Sequence, residues 1–389
     1  MKPLLSIVIP TKDRYEYLLE LLLFFIRVER DDFEVIVQDN SKDNIKIVEF
    51  LEKHNQKRIK YFYNGEHLSV VENADLAVAN AIGEYVTMIG DDDGISMKLI
   101  DFLKKMNSKY DAYLFNKPTY IWPDVTHRYH SSNFSGTITI KEFNGQIADL
   151  NVDEIIANVL KVGGTRILNL PRVYHAVIKR SVMDSLRQTA GTYFPGPSPD
   201  MANAIAISNF VKKMAYVDIP YIISGTSVKS TAGAGAIGKH IGEIKDQAFL
   251  PKETSALWSK NIPYYWSGTT IYAASTIRAL ESLNKIILLK KMNLSFLYAS
   301  CLVFDKGMRK RILNTIWGKF GFSRIDCYIK LIYYLFEIYI LRVKIYVRNK
   351  VLSKGKRNNN YQNLTEIMSI GYAINTIDSL ISEYETGSK

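Results

Sequence analysis

Short β-branched apolar runs alternate with helical apolar spacings along the first hundred or so residues of the chain. Residues 4–9 form an apolar run interrupted only by Ser6 and closed by Pro10, which reads as a buried strand. Over 15–27 the positions Leu18, Leu19, Leu22, Leu23 and Ile26 recur three and four residues apart, which predicts a helix with one apolar face. The pattern then repeats: strand 33–37, helix 45–53, strand 59–63, helix 70–81, strand 85–89. Repeated βαβ units predict an α/β fold with a parallel sheet and right-handed crossovers. Such sheets bind ligands in the crevice outside the carboxyl ends of their strands.

The loops at those ends are polar. Strand one ends in Pro10-Thr11-Lys12-Asp13-Arg14, strand two in Gln38-Asp39-Asn40-Ser41-Lys42-Asp43, and strand four in Asp91-Asp92-Asp93-Gly94. Three carboxylates at a strand end supply hard oxygen ligands for a divalent cation that holds phosphates, although a solvated acidic turn would use the same residues. An EF-hand is excluded, because Gly94 at loop position six puts Ile89 and Ile100 at the first and last ligand positions. Neither glycine-rich phosphate fingerprint follows strand one, so a phosphate here needs a metal to neutralise it.

In order, Ser6-Ile7-Val8-Ile9-Pro10-Thr11-Lys12-Asp13-Arg14, Val37-Gln38-Asp39-Asn40-Ser41, Asn73-Ala74, Gly83-Glu84-Tyr85 and Gly90-Asp91-Asp92-Asp93 resemble glycosyltransferase family 2, the inverting enzymes of the GT-A fold. The resemblance covers about the first 105 residues. It implies a nucleotide-diphospho-sugar transferase fold, a mostly parallel Rossmann-like sheet flanked by helices, here with a C-terminal helical extension. By the same resemblance Pro10, Thr11, Asp13, Arg14, Asn73 and Asp91 bind the donor, and Asp39 accepts from its base, most often uracil. Asp92, with Asp91, holds a Mn or Mg ion, and Asp93 lies on the acceptor side. Gly90 stands where the family usually has the first aspartate of its metal motif, which leaves the ligand register open.

A general base for the acceptor hydroxyl is expected roughly a hundred residues downstream, as the resemblance implies. Asp200 is the candidate, after the stiff segment Tyr193-Phe194-Pro195-Gly196-Pro197-Ser198-Pro199, with capping of a helix over 201–210 as its other reading. His175, in the apolar stretch 172–180, reads as structural. Gly233 to Gly238 matches a dinucleotide fingerprint but follows a polar stretch, so it reads as a small-residue loop. His240 beside it is a candidate third metal ligand.

Composition changes the picture mainly at the C-terminal end. The chain has 389 residues, two cysteines and a formal charge of +11. With no leading basic-apolar segment it is expected to be cytoplasmic. Length accommodates a catalytic domain over 1–250, divided into a nucleotide-sugar half (1–105) and an acceptor half (106–250), and a helical basic region over 251–389. The apolar run 325–347 contains Lys330, Glu337 and Lys344, each costing about 2.5 to 3.5 kcal/mol at the centre of a membrane span, so it is expected to be an amphipathic helix. Such a helix either lies in an anionic membrane interface or packs on protein, including a second copy of the chain in a homo-oligomer. A further helix is predicted over 365–384.

The residues together point to transfer of a sugar, in one inverting displacement, from a nucleotide-diphosphate donor to an acceptor hydroxyl. A polyprenyl-diphosphate-linked saccharide of surface-polysaccharide (O-antigen or capsule) assembly is the expected acceptor. A nucleotidyltransferase is the alternative, but it usually carries a glycine-rich loop after strand one. A nucleic-acid-binding protein is a further alternative, and the placement of the basic residues on apolar helices argues against it.

Overall fold

The computed structural model describes residues 2–125, 134–230, 241–321, 324–352 and 360–387. β1 (Leu5–Thr11), α1 (Tyr15–Ile26), β2 (Phe33–Asp39), α2 (Ile45–His54), β3 (Ile59–Tyr63), α3 (Val70–Ala79) and β4 (Tyr85–Met88) follow in the predicted order. β1 pairs in parallel with β2 and with β4, and β2 with β3. These strands alternate between two cores. Val8, Ile36 and Val86 face one side, while Ile7, Ile9, Val35 and Val37 face the other.

Beyond β4 the chain changes sheets. β5 (Gly94–Ile95) belongs to a second sheet, and α4 (Lys98–Met106) leads to β6 (Ala112–Phe115). β7 (Thr119–Ile121), β8 (Thr137–Lys141), β9 (Ile147–Leu150), β10 (Ala176–Lys179), β11 (Met214–Val217), β12 (Ile222–Thr226) and β13 (Tyr361–Leu364) complete the two sheets. The larger runs β3-β2-β1-β4-β10-β6-β11-β9, with β10 antiparallel to both of its neighbours. The smaller runs β13-β8-β7-β12-β5. Residues 89–93 therefore cross from one sheet to the other, which places the three aspartates at their junction.

Helices α5 (Val152–Lys161), α6 (Arg180–Ala190) and α7 (Pro199–Ser208) cover one face of the large sheet. Onto them pack α8 (Gly268–Ser282), α9 (Ile286–Lys290), α10 (Leu294–Phe304), α11 (Arg309–Phe320) and α12 (Ile325–Leu352). The last segment then returns to the N-terminal half. β13 pairs antiparallel with β8, and α13 (Ile370–Glu385) enters the second core against α1 and β5. A side chain at Gly94 would meet Ile370 Cδ1 and Ile374 Cγ1 at 3.0 Å, so this helix docks directly on the residue after the aspartates.

α12 is a helix along the whole predicted run. It buries a narrow stripe, Cys327, Leu331 and Ile338, and leaves Ile329, Tyr333, Phe336, Tyr339, Ile340 and Tyr346 exposed. Ser295 Oγ donates to Cys327 O at 3.1 Å, and the Arg342 guanidinium lies 5.3 Å from the Phe304 ring centre. Among the described residues no helix is long and apolar enough to cross a membrane.

Candidate active site

Arg14 occupies the residue before α1, a position that usually holds a small polar cap, and its side chain does not cap the helix. The guanidinium turns toward the end of β4 instead. Nη2 lies 3.1 Å from Asp91 Oδ1 and 2.7 Å from Asp92 Oδ2. Thr11 Oγ1, at the end of β1, donates to Asp91 Oδ2 at 2.7 Å. Ser227, just past β12, donates to Asp92 Oδ2 at 2.6 Å and accepts from Arg14 at 3.0 Å. Trp122 Nε1 holds the Asp92 carbonyl at 2.8 Å.

All three aspartates are buried. Burial pushes the Asp91 carboxyl up to about 7, with Arg14 opposing and the Asp92 charge adding. Asp92 is raised by burial and then by the Asp93 charge. For Arg14, burial works downward but the Asp91 and Asp92 charges outweigh it, and the guanidinium is raised. Two adjacent carboxylates that resist sharing their charge are suited to a cation.

Asp93 is oriented away from this pair. Its Oδ2 accepts from Gly90 N at 2.6 Å, Tyr174 OH at 3.0 Å and His175 Nε2 at 2.5 Å, and its Oδ1 accepts from Gly225 N at 2.7 Å. Burial works to raise its pKa, but His175 with the Gly90 and Gly225 amides outweighs it and the net direction is downward. Two glycines make this possible. A side chain at Gly225 would begin 1.8 Å from Asp92 O, and one at Gly90 would begin 3.0 Å from both Asp92 Oδ1 and Asp93 Oδ2. Gly90 thus gives Asp93 room to fold back onto its amide, a physical reason for a glycine where the family places an aspartate. His175 has φ of +62°, uncommon for a residue with a side chain, and this brings its ring under Asp93. The structural reading of His175 agrees with this geometry.

Asp39 is fully buried at the end of β2. It accepts from Ser41 N at 2.8 Å, Tyr15 OH at 2.6 Å and Tyr61 OH at 2.8 Å. Asp13, with φ of +55°, donates its amide to Ser41 Oγ at 2.7 Å and accepts from Lys42 N at 3.0 Å, which binds the first two loops together. Asn73 Nδ2 donates to Thr11 O at 3.2 Å, while its Oδ1 is buried without a partner among the described residues. Pro10 is half-buried beside Thr11.

Asp200 is not the helix cap. Ser198 holds that position, Pro199 begins α7, and the Asp200 side chain makes no hydrogen bond or ion pair among the described residues. It is half-buried, and together with Asp93 and Asp92 it contributes to raising Tyr174, after burial. One turn further along α7, Asn203 Oδ1 accepts from Val173 N at 2.8 Å, which ties the start of this helix to the segment whose Tyr174 and His175 donate to Asp93. His240 and the Gly233–Gly238 stretch lie outside the described residues.

Among the described residues no group of three or more His, Cys, Asp or Glu side chains is arranged to hold a metal. The donors present nevertheless fit a hard cation: Asp91 Oδ1 is buried without an aligned hydrogen bond, beside the Asp92 carboxylate. Mg and Mn ions commonly take one or two carboxylates and complete their shells with water and substrate phosphate. Tyr15, Tyr61, Tyr174 and Ser227 join the site with no signal in the sequence. Ser227 is separated from Arg14 by 213 positions.

Residues 6–158 match the sequence profile of Glycosyl transferase family 2. Over 117 residues the chain is 35% identical to the GalNAc(5)-diNAcBac-PP-undecaprenol beta-1,3-glucosyltransferase of Campylobacter jejuni, covering 29% of this chain and 37% of that protein. Over 140 residues it is 28% identical to an uncharacterised glycosyltransferase of Rickettsia conorii, covering 34% of this chain and 22% of that one. The matched segment thus spans little more than a third of the first relative and less of the second. Among solved structures, S. aureus TarS in complex with UDP-GlcNAc aligns over 86% of this chain and 89% of its own, at 15% identity and a TM-score of 0.48.

Proposed function

Because residues 6–158 belong to glycosyl transferase family 2, we propose that this protein transfers a sugar from a nucleotide-diphosphate donor to a hydroxyl of a lipid-linked saccharide, with inversion and with a divalent cation. The observation that carries the reading is the buried Asp91–Asp92 pair between Thr11 and Arg14, with Asp200, unpaired among the described residues, at the start of the helix tied to the Tyr174–His175 segment. In this reading Asp91 and Asp92 hold the cation, which when bound supplies charge neutralisation to the departing diphosphate. Thr11 and Asn73 orient the loop that faces the donor, and Asp39 with Tyr15 and Tyr61 forms the wall on the nucleotide side. UDP is the favoured nucleotide. Asp200 accepts the proton of the acceptor hydroxyl as that oxygen attacks the anomeric carbon on the face opposite the leaving group.

The lipid-linked acceptor is supported by the name of the Campylobacter relative, which specifies an undecaprenol-linked substrate for that protein. It is supported further by α12, whose exposed aromatic and aliphatic face is accompanied by Lys330, Lys344 and Arg348. We read this face as peripheral contact with an anionic membrane, with the enzyme on its cytoplasmic side. The first half of the chain carries no glycine-rich phosphate loop, which disfavours a nucleotidyltransferase.

A panel of nucleotide sugars, screened for release of the nucleoside diphosphate with and without Mn, tests the proposal. At least one donor should be hydrolysed slowly in a metal-dependent way, and Asp92→Asn should abolish that release while the fold persists. If no donor is consumed, or Asp92→Asn turns over like the parent, the reading is wrong.

A further inference from the structure

We propose that Lys117 and Arg172 form a binding site for an anionic group, a phosphate or carboxylate borne by a substrate, near Asp200. The inference rests on the sugar-transfer reading and adds a recognition element to it.

Arg172 is held from both ends of its neighbour. Val173 N donates to Asn203 Oδ1 at 2.8 Å, and Val173 O accepts from Met88 N at 2.8 Å. The Arg172 guanidinium, in contrast, makes no hydrogen bond or ion pair among the described residues, and its Nε is buried without a partner. A buried charged donor left unpaired is costly, so such a group points to a partner that arrives later.

Lys117 lies in the turn between β6 and β7. Its ammonium donates to His175 Nδ1 at 3.2 Å and pairs with no carboxylate among the described residues. That direction of donation keeps His175 Nε2–H on Asp93. Burial around the ammonium lowers the Lys117 pKa, and the nearby Arg172 charge lowers it further, with Asp93 and Asp200 opposing. The contacts place these charges together: Lys117 bonds His175, three residues after Arg172, and Asn203 of α7, the helix that Asp200 opens, holds Val173, the residue after Arg172.

Elsewhere in this protein cations and carboxylates close on each other, as in Lys60 to Glu34 at 2.6 Å and Arg30 to Asp101 at 2.8 Å. Here Asp200 closes on neither cation. A ligand that presents a hydroxyl to Asp200 and an oxyanion to Lys117 and Arg172 would supply the partners these side chains lack among the described residues. Asp93 is already saturated by its own donors, so it does not compete for the two cations. An arginine fork beside a lysine point charge is the usual pairing for phosphate or carboxylate oxygens. The anion can belong to the acceptor, as a glycosyl phosphate, or to the transferred sugar, as a uronate.

The test uses the full-length chain. In the first arm, transfer to a glycosyl phosphate is compared with transfer to the methyl glycoside of the same sugar. In the second, uronate donors are compared with neutral hexose donors. Arg172→Met and Lys117→Met should raise KM about tenfold or more for the charged substrate of one arm, the equivalent of one lost charged hydrogen bond, while shifting the neutral counterpart far less. Arg172→Lys should recover part of the loss. The arm that responds identifies the source of the anion. Equal losses on charged and neutral substrates, in variants that melt like the parent, overturn the site.

Calorimetric titrations with a glycosyl phosphate and with a free uronic acid, both in EDTA, supply a readout that does not depend on turnover. Binding of either that weakens in Arg172→Met supports the site, and absent binding of both, or affinities unchanged in the variant, overturns it. If no nucleotide sugar is ever consumed, the transferase reading fails, and these titrations still decide the anion site.

Discussion

Arg14 Nη2 lies 2.7 Å from Asp92 Oδ2, and both side chains are largely withdrawn from water. The contact follows from strand order. β1 and β4 pair in parallel from Leu5 opposite Tyr85 to Val8 opposite Met88, so the loops that leave them emerge side by side. The guanidinium is the positive charge that compensates two buried carboxylates.

Arg14→Met should therefore destabilise the metal-free protein by roughly 3 kcal/mol, the scale for removing one partner of a buried ion pair. Thermal melts should also show Mn restoring more stability to the variant than to the parent, because the ion then replaces the missing charge. A variant with parental stability and an unchanged response to Mn would contradict this account.

Asp200→Asn should reduce transfer by at least about a hundredfold, the low end for general-base catalysis, and leave donor affinity intact. The two quantities separate the roles. Loss of donor affinity would instead assign Asp200 to the nucleotide site.

A pH dependence follows from Asp32. Hydrogen bonds from Arg30 are the largest influence on its carboxyl, and with Lys104 they outweigh burial and hold it down at about 2. The folded value lies below the unfolded one, so the contribution to stability is complete above about pH 4 and is lost as pH falls toward 2. Asp32→Asn should cost roughly 1 to 2 kcal/mol at neutral pH, and the difference from the parent in denaturant melts should shrink steadily below pH 4. A constant difference across that range would show that the loss is one of packing.

The exposed face of α12 can be tested without truncation. Deleting the C-terminal region would also remove β13 and α13, which fill the core beside the aspartates. Phe336→Glu with Ile340→Glu should change folding stability by no more than about 0.5 kcal/mol, as exposed substitutions do. It should release the protein from anionic vesicles in sedimentation and slow transfer to a lipid-linked acceptor more than donor hydrolysis. Failure of the parent protein to sediment with anionic vesicles at low salt would remove the membrane reading.

The sequence by itself determined the chain from β1 to β4. Every strand and helix from β1 to β4 lies within two residues of its predicted bounds, because a strand buried on both faces and a helix with one apolar stripe leave periodicities that local reading detects. The polar loops that end those strands were legible for the same reason: the strand order of a parallel sheet brings them to one edge. The tertiary structure decided the rest. Whether Asp200 capped its helix depended on where the preceding prolines let α7 begin, and Ser198 took that place. The opposed orientations of Asp92 and Asp93 depend on Gly225, Ser227 and His175, more than eighty residues away in the chain, and no periodicity records contacts of that range. The periodicity over 365–384 predicted a helix but not its partner, because an apolar stripe specifies that a surface will be buried and says nothing about which surface receives it.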